Sequence, residues 1–277
     1  ITRQKVWEVI QNINFQPNLA ARGLAVGRTQ VLGLVIPMAV TSVFADPYFP
    51  LLIQGISSAC NARGYSMMLW LAEPEYERRT LRQILYKGLI EGVIVASMQT
   101  DDSIIETLAE RSLPFILTGR HPLRTNLNYV DVENRGGARA AVQFLLENGR
   151  RRIAAVHGPR KRIAGLDRRQ GMLDAMDAAG LSIEEALMIE SDFSEIGGYE
   201  AMRTLLKNPA TAGIDAVFAA SDAMALGVLR AAQEARLRIP ADLAVIGFDD
   251  IPSAALSTPP LTTMHQPIQE SGATAAR

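Results

Sequence analysis

The side chains best suited to chemistry are few and scattered. Asp249 and Asp250 stand side by side after the apolar run "LAVIGF", a candidate carboxylate pair for acid–base work. Adjacent residues leaving a strand diverge, so the pattern predicts one carboxylate in a cleft and the other at a turn. His121, His157 and His265 lie too far apart for i, i+4 metal ligation and have no cysteine beside them. Cys60 is the single thiol of the 277-residue chain, which forbids an internal disulfide and fits a reducing cytoplasm. A G-x-S-x-G elbow is missing. So are G-x-G-x-x-G and G-x-x-x-x-G-K-[ST]: after the first apolar run, "PMAVTSVFADPYFP" holds no glycine through which backbone could approach a phosphate. The pairs Gly136–Gly137 and Gly197–Gly198 read as turn residues at helix starts. No catalytic residue, metal or cofactor is assigned.

What remains is a set of polar and aromatic residues placed just after apolar runs. Asp46, Tyr48 and Phe49 follow "VLGLVIP", Arg120 follows "PFILTG", and Glu133 and Asn134 follow "YVDV". Ser221 and Asp222 follow "AVFAA", while Arg168 and Phe193 lie on connections at the same end. Carboxylates, an amide, guanidinium groups and aromatic faces together suit a polyol, whose hydroxyls need hydrogen bonds and whose C–H surface needs rings. Asp46, Asn134 and Asp222 equally suit helix capping.

The elements that must position these groups alternate. From Val31 onward, apolar runs without polar alternation are separated by amphipathic helices, the mark of parallel sheets covered on both faces. One series runs from "VLGLVIP" through "YSMMLWLA", a helix over "YERRTLRQILYKG", "GVIVAS", a helix over "DDSIIETLAERS", "PFILTG" and "YVDV" to the helix "GGARAAVQFLLENG". A second begins at "RIAAVHG", after the polar "ENGRRR" at Gly149–Arg152. The stiff "STPPLTTMHQP" predicts a return crossing. The expected organisation is an N-terminal segment 1–29, one subdomain of residues 30–149 plus 265–277, and another of residues 150–264. With 48% hydrophobic residues the chain can bury a sizeable core, and no apolar stretch is long enough for a membrane span.

The net charge of −1 gives no general reason to expect nucleic acid, but its distribution does. Residues 1–30 carry Arg3, Lys5, Arg22 and Arg28 against Glu8 alone. "ITRQKVWEVIQNI" has helical spacing, with Val6, Val9, Ile10 and Ile13 on one face. After Pro17, Asn18 can cap a helix of barely two turns over Leu19–Ala25, which is marginal alone in water. Arg22 and Arg28 would supply charge to phosphates, and Leu24 an apolar wedge between base steps. The chain opens inside a helical pattern and reads as a fragment whose upstream residues are missing.

The run "QPNLAARGLAVGRT" resembles the hinge of the LacI/GalR family of bacterial transcription regulators. "DPYFPLLIQGISSACNARGY", "LIEGVIVAS", "VENRGGARAAVQFLLENGRRRIAAVHGP", "DRRQGMLDAM", "SDAMALGVLRAAQEARLRIPADLAVIGFDDIP" and "PPLTTMHQP" follow in the order of that family. The resemblance implies an α/β fold of the periplasmic binding protein type I kind: two doubly wound parallel-sheet subdomains joined by crossing strands, with a partial helix-turn-helix and hinge remnant at the N-terminus. It implies a repressor, homodimeric or tetrameric, bound to operator DNA and controlled by a small effector, a sugar rather than a purine. The effector-binding residues it carries over are Tyr48, Phe49, Arg120, Glu133, Arg168, Phe193, Ser221, Asp249 and Gln266. Ser221 stands where many members have asparagine, and Glu133 where aspartate is usual. The DNA-binding hinge residues are Asn18, Ala21, Arg22, Leu24 and Arg28. Two rival readings share the clamp: a transport receptor for sugars, which needs no hinge arm, and an enzyme, which needs a base and nucleophile that the sequence does not offer.

Overall fold

The computed structural model describes residues 2–12, 28–71, 89–96, 99, 104–109 and 113–277. Asn18, Ala21, Arg22 and Leu24, and the helix expected over "YERRTLRQILYKG", lie outside the described residues. Helix α1 (Thr2–Asn12) buries none of its residues in this chain, and Val6 and Val9 stay exposed on it. Arg28 is exposed beyond it, just ahead of the first strand.

The first subdomain is built from β1 (Val31–Ile36), α2 (Val40–Ala45), α3 (Tyr48–Asn61), β2 (Ser66–Leu71), β3 (Gly92–Ala96), α4 (Ile104–Ala109), β4 (Phe115–Thr118) and β5 (Tyr129–Val130). Its strands lie in the order β2-β1-β3-β4-β5, and every pair is parallel. Both faces are covered. Leu34, Ile36, Ile94 and Ala96 point into one core, while Val35, Val93 and Val95 join Ile104, Ile105 and Leu108 in another. That double burial is why the strands read as continuous apolar runs. Helix α3 turns Phe49, Leu52, Ile56, Ala59 and Cys60 inward at helical spacing, so the lone cysteine is core.

The second subdomain comprises α5 (Asn134–Glu147), β6 (Ile153–His157), α6 (Ile163–Ala178), β7 (Met188–Glu190), α7 (Glu195–Lys207), β8 (Ala216–Ala219), α8 (Asp222–Glu234), β9 (Ala244–Asp249), α9 (Pro252–Leu256) and β10 (Thr262–His265). Its sheet runs β10-β9-β8-β6-β7, again all parallel. Read from the second strand of each series, the two orders are the same. In each sheet the chain reverses direction of growth beside its first strand, the kind of switch point at which α/β sheets bind ligands.

The expected first boundary at Gly149–Arg152 is corrected. Helix α5 packs on α6 and on the second sheet, so the chain leaves the first sheet across residues 131–133. The polar "ENGRRR" is an ordinary helix-to-strand turn within the second subdomain. Arg150 and Arg151 spend their donors on nearby carbonyls, and Arg152 pairs with Glu184. The return crossing follows β10: the final helix α10 (Ile268–Ala276) packs on α3 and against β4 and β5 of the first subdomain. Among the described residues no helix is long and apolar enough to cross a membrane.

Candidate ligand-binding cleft

The carboxyl ends of the two sheets face each other across a cleft enclosing about 870 Å³, part of it continuous with bulk solvent. Of the nine residues expected there, Tyr48, Phe49, Arg120, Arg168, Phe193, Ser221, Asp249 and Gln266 line it. Glu133 does not. It precedes α5 with its side chain exposed, and its neighbours Asp131, Val132 and Asn134 face the cleft in its place.

Arg168 organises the floor. It sits one turn into α6 rather than on a loop, so its guanidinium is carried by a rigid element. It is 4% exposed and donates through Nη1 to the Ala220 carbonyl at 2.6 Å and Asp249 Oδ1 at 3.0 Å, through Nη2 to Gln266 Oε1 at 2.6 Å, and through Nε to Asn134 Oδ1 at 2.9 Å. Its cationic carbon lies 3.8 Å above the Phe248 ring centroid. Four of its five N–H donors are thus committed within the protein. Of the two roles the sequence allows Asn134, cleft group and helix cap, the side chain takes the first as a partner of this arginine, with Asp131 Oδ1 accepting from its amide at 3.0 Å.

The carboxylates are under-compensated. Burial pushes Asp249 up to about 7, against the pull of Arg168 and with the push of Asp222 and Asp46. Burial likewise raises Asp46 to about 6, although its Oδ1 accepts from the Tyr48 backbone N–H at 3.0 Å. Asp250, the other half of the sequence pair, is turned outward and meets His265 Nδ1 at 2.9 Å. Asp222 is not the cap of α8; Ser221 is, accepting from Met224 N–H at 3.2 Å. Asp222 takes hydrogen bonds from Ile251 N–H at 2.9 Å and Thr263 Oγ1 at 2.5 Å, tying the turn that follows Asp249 and β9 to β10.

The aromatic wall comes from both subdomains. The rings of Tyr48 and Phe49 meet edge to face at 5.3 Å, and burial holds the Tyr48 hydroxyl far above its usual titration range. Phe193 enters from the other side on a backbone with φ 71°, a conformation that is strained for a bulky residue. Only glycine at 158 admits that ring, because a Cβ there would lie 2.0 Å from the Phe193 ring edge. Asp249 also holds a positive φ, 123°. Strain of this kind concentrates at sites that the surrounding fold over-determines.

Sequence reasoning missed four contributors, Asp131, Arg162, Asp167 and Thr118, two of which are partners of the expected Arg120. Arg120, at the end of β4, pairs with Asp131 of its own subdomain at 3.4 Å and forks onto Asp167 of α6, with Nη2 to Oδ1 at 2.7 Å. This ion pair bridges the two subdomains. Arg162, directly ahead of α6, is partly buried in the cleft and lies near enough to Asp46 and Asp192 to feel both charges. Thr118 Oγ1 is buried in the cleft wall without a hydrogen-bond partner among the described residues, a group that a ligand hydroxyl would satisfy. Asp131 sat inside a predicted strand and Arg162 inside a basic triplet. Only the fold distinguishes them from their neighbours.

Two parallel sheets with a polar, aromatic-walled gap between their carboxyl ends define a two-lobed binding clamp rather than a surface reader. The comparisons place that clamp among known proteins. A model of the periplasmic binding protein-like domain matches residues 142–277. The transcriptional regulator CelR of Thermobifida fusca is 37% identical over the whole chain and 81% of its own length. The ribose operon repressor of Escherichia coli K12 is 34% identical over 97% of the chain and 80% of its own. Among solved structures, a CelR–cellobiose complex superposes with a TM-score of 0.86 at 35% identity, covering all of this chain and 82% of the other. The chain belongs to the LacI/GalR family of transcription regulators.

Proposed function

We propose that this chain is the sensing body of a cytoplasmic, homodimeric repressor whose operator affinity is set by a sugar held in the cleft. Asp249, Gln266, Asn134 and the free donor of Arg168 take the sugar hydroxyls, and Tyr48, Phe49 and Phe193 cover its C–H faces. The observation that carries this reading is the placement of those groups on opposite subdomains, with Arg120 and Asp167 spanning the gap. A ligand touching both walls then has different affinities for the open and closed clamp, which is the requirement for shifting their populations.

The output is the N-terminal arm. Closure changes how the first subdomains pair across a dimer, and so whether two hinge segments order together in a minor groove with Leu24 as the wedge and Arg22 and Arg28 on the backbone. Moving the operator from mostly occupied to mostly empty requires roughly 5 kcal/mol of differential effector affinity. The test is fluorescence anisotropy of the natural full-length protein on its own upstream DNA, with and without a panel of sugars. Salt-dependent binding that a sugar raises or lowers by tenfold or more supports the proposal. Binding indifferent to every sugar, or turnover of any of them, overturns it.

A further inference from the structure

We infer that Arg162 is a two-position latch of the clamp, drawn to Asp192 of its own lobe when the lobes part and paired with Asp46 of the other lobe when they close. The inference rests on the clamp reading above and adds to it the ion pair that lobe motion makes and breaks. Asp46 and Arg162 line the cleft from opposite sides. Asp46 ends α2 in the first subdomain, and of its two carboxylate oxygens only Oδ1 is engaged, by the Tyr48 N–H at 3.0 Å. Arg162 stands directly ahead of α6 in the second subdomain, and among the described residues its guanidinium makes no hydrogen bond and no ion pair. Each lies within the field of the other, yet the two are not joined. Burial raises the carboxyl and lowers the guanidinium, the mark of two charges desolvated without a partner.

The start of α6 is where the second lobe already meets the first. The Arg162 backbone forms an antiparallel bridge with Gln99, which follows β3. Ile163 lies beside Gly119 at the end of β4, where a Cβ would sit 3.6 Å from its Cγ2, and Asp167 receives Arg120. A guanidinium carried on a long stem from that point can change lobes with little movement of the backbone. Asp192 competes for it from the same lobe, but its Oδ1 already accepts from the Ser194 N–H at 2.9 Å and from Ser194 Oγ at 2.6 Å. Asp46 keeps an oxygen free. Opposite charges in a partly desolvated gap attract strongly, and a buried charge left alone is costly. Closure is therefore favoured by a pair of side chains that need not touch the effector, and the strength of that pair sets how easily the clamp shuts.

The test is double electron–electron resonance on the full-length protein, with spin labels on Leu123→Cys in the first subdomain and Ile196→Cys in the second. Both positions are exposed, whereas the native Cys60 is buried and takes no label. Labelled protomers are diluted into excess unlabelled protein so that only distances within one chain are read. Spectra are recorded without addition and with cellobiose, ribose and hypoxanthine in turn. Asp46→Asn, which keeps an oxygen for the Tyr48 N–H, and Arg162→Gln should each lower the ratio of closed to open molecules at least about threefold. The double variant should be no more open than either single one, and Asp192→Asn should raise the ratio. Single variants that leave the ratio unchanged, a double variant whose effect is the product of the two, or an Asp192→Asn variant that fails to raise the ratio overturns the latch and leaves the clamp in place. Variants that shift the ratio while no compound does support the latch and overturn the effector reading. A single distance that neither compound nor variant alters overturns both.

Discussion

Replacing Asp249 by asparagine keeps an acceptor for Arg168 Nη1 and deletes one titrating group, so it isolates what burial has done to that carboxylate. The group titrates ordinarily at 3.8 and in this cleft at about 7, because burial penalises its charged form more than Arg168 stabilises it. A difference of about three pH units corresponds to roughly 4 kcal/mol between the two protonation states. The sign follows from proton counting. Between pH 4 and 7 the folded protein holds a proton that the unfolded chain has released, so stability rises as pH falls through 7 toward 4, and above 7 the full penalty stands. Acidification from pH 7.5 to 5.5 therefore recovers roughly 2 kcal/mol from Asp249 alone.

Other groups titrate in the same window. Asp46 and Asp222, both raised to about 6 by burial, act in the same direction. His157 opposes them: it is fully buried and its pKa is held down by burial, so the unfolded chain takes up a proton that the folded one refuses. The decisive quantity is thus the difference between wild type and Asp249→Asn, in which these contributions largely cancel. Thermal midpoints at pH 7.5 and 5.5 should show the wild-type protein gaining on the variant by about 5 °C in the acidic buffer, the shift that roughly 2 kcal/mol produces in a chain of this size. A gap that is equal at the two pH values, or that narrows in acid, refutes the account of Asp249 as a buried, under-compensated carboxylate.

Three more outcomes follow from the same geometry. Arg168→Met should lower stability by about 3 kcal/mol, since it strands the buried partners Asp249, Asn134 and Gln266, and should remove effector binding from calorimetric detection; Arg168→Lys should not restore it. Arg120→Gln and Asp167→Asn should each cost under about 1 kcal/mol of stability because Arg120 is 39% exposed, yet each should speed effector release severalfold in stopped-flow traces, and the double variant should release no faster than either single one. Gly158→Ala should leave the circular dichroism spectrum unchanged while weakening effector affinity at least tenfold, because the added methyl occupies the place of the Phe193 ring.

The parts of this molecule legible in its sequence are those fixed by local chemistry. Strands such as Ile153–His157 and Ala216–Ala219, buried along their whole length, announce themselves as apolar runs. Helix limits such as Gly180 after α6 and Ser221 before α8 come from residues whose backbone or side chain suits only that position. Polar residues at strand ends could be nominated for the cleft for the same reason. Loop polarity was a poor guide to the subdomain boundary, because a solvated turn looks alike whether it joins lobes or lies within one. Helix α5 has one apolar face, through Ala138, Ala141, Val142 and Leu145, and nothing in that stripe says which sheet it will cover. The pairing Arg120–Asp167 was equally silent, joining residues 47 positions apart on different lobes. Glu133 shows the limit at single-residue scale: a carboxylate is needed near that bend of the chain, and the strand's exit geometry turns Asp131 inward instead. Position relative to a strand end is thus readable one turn of chain at a time, whereas the partner across the gap is set by the way two separately built sheets are brought together.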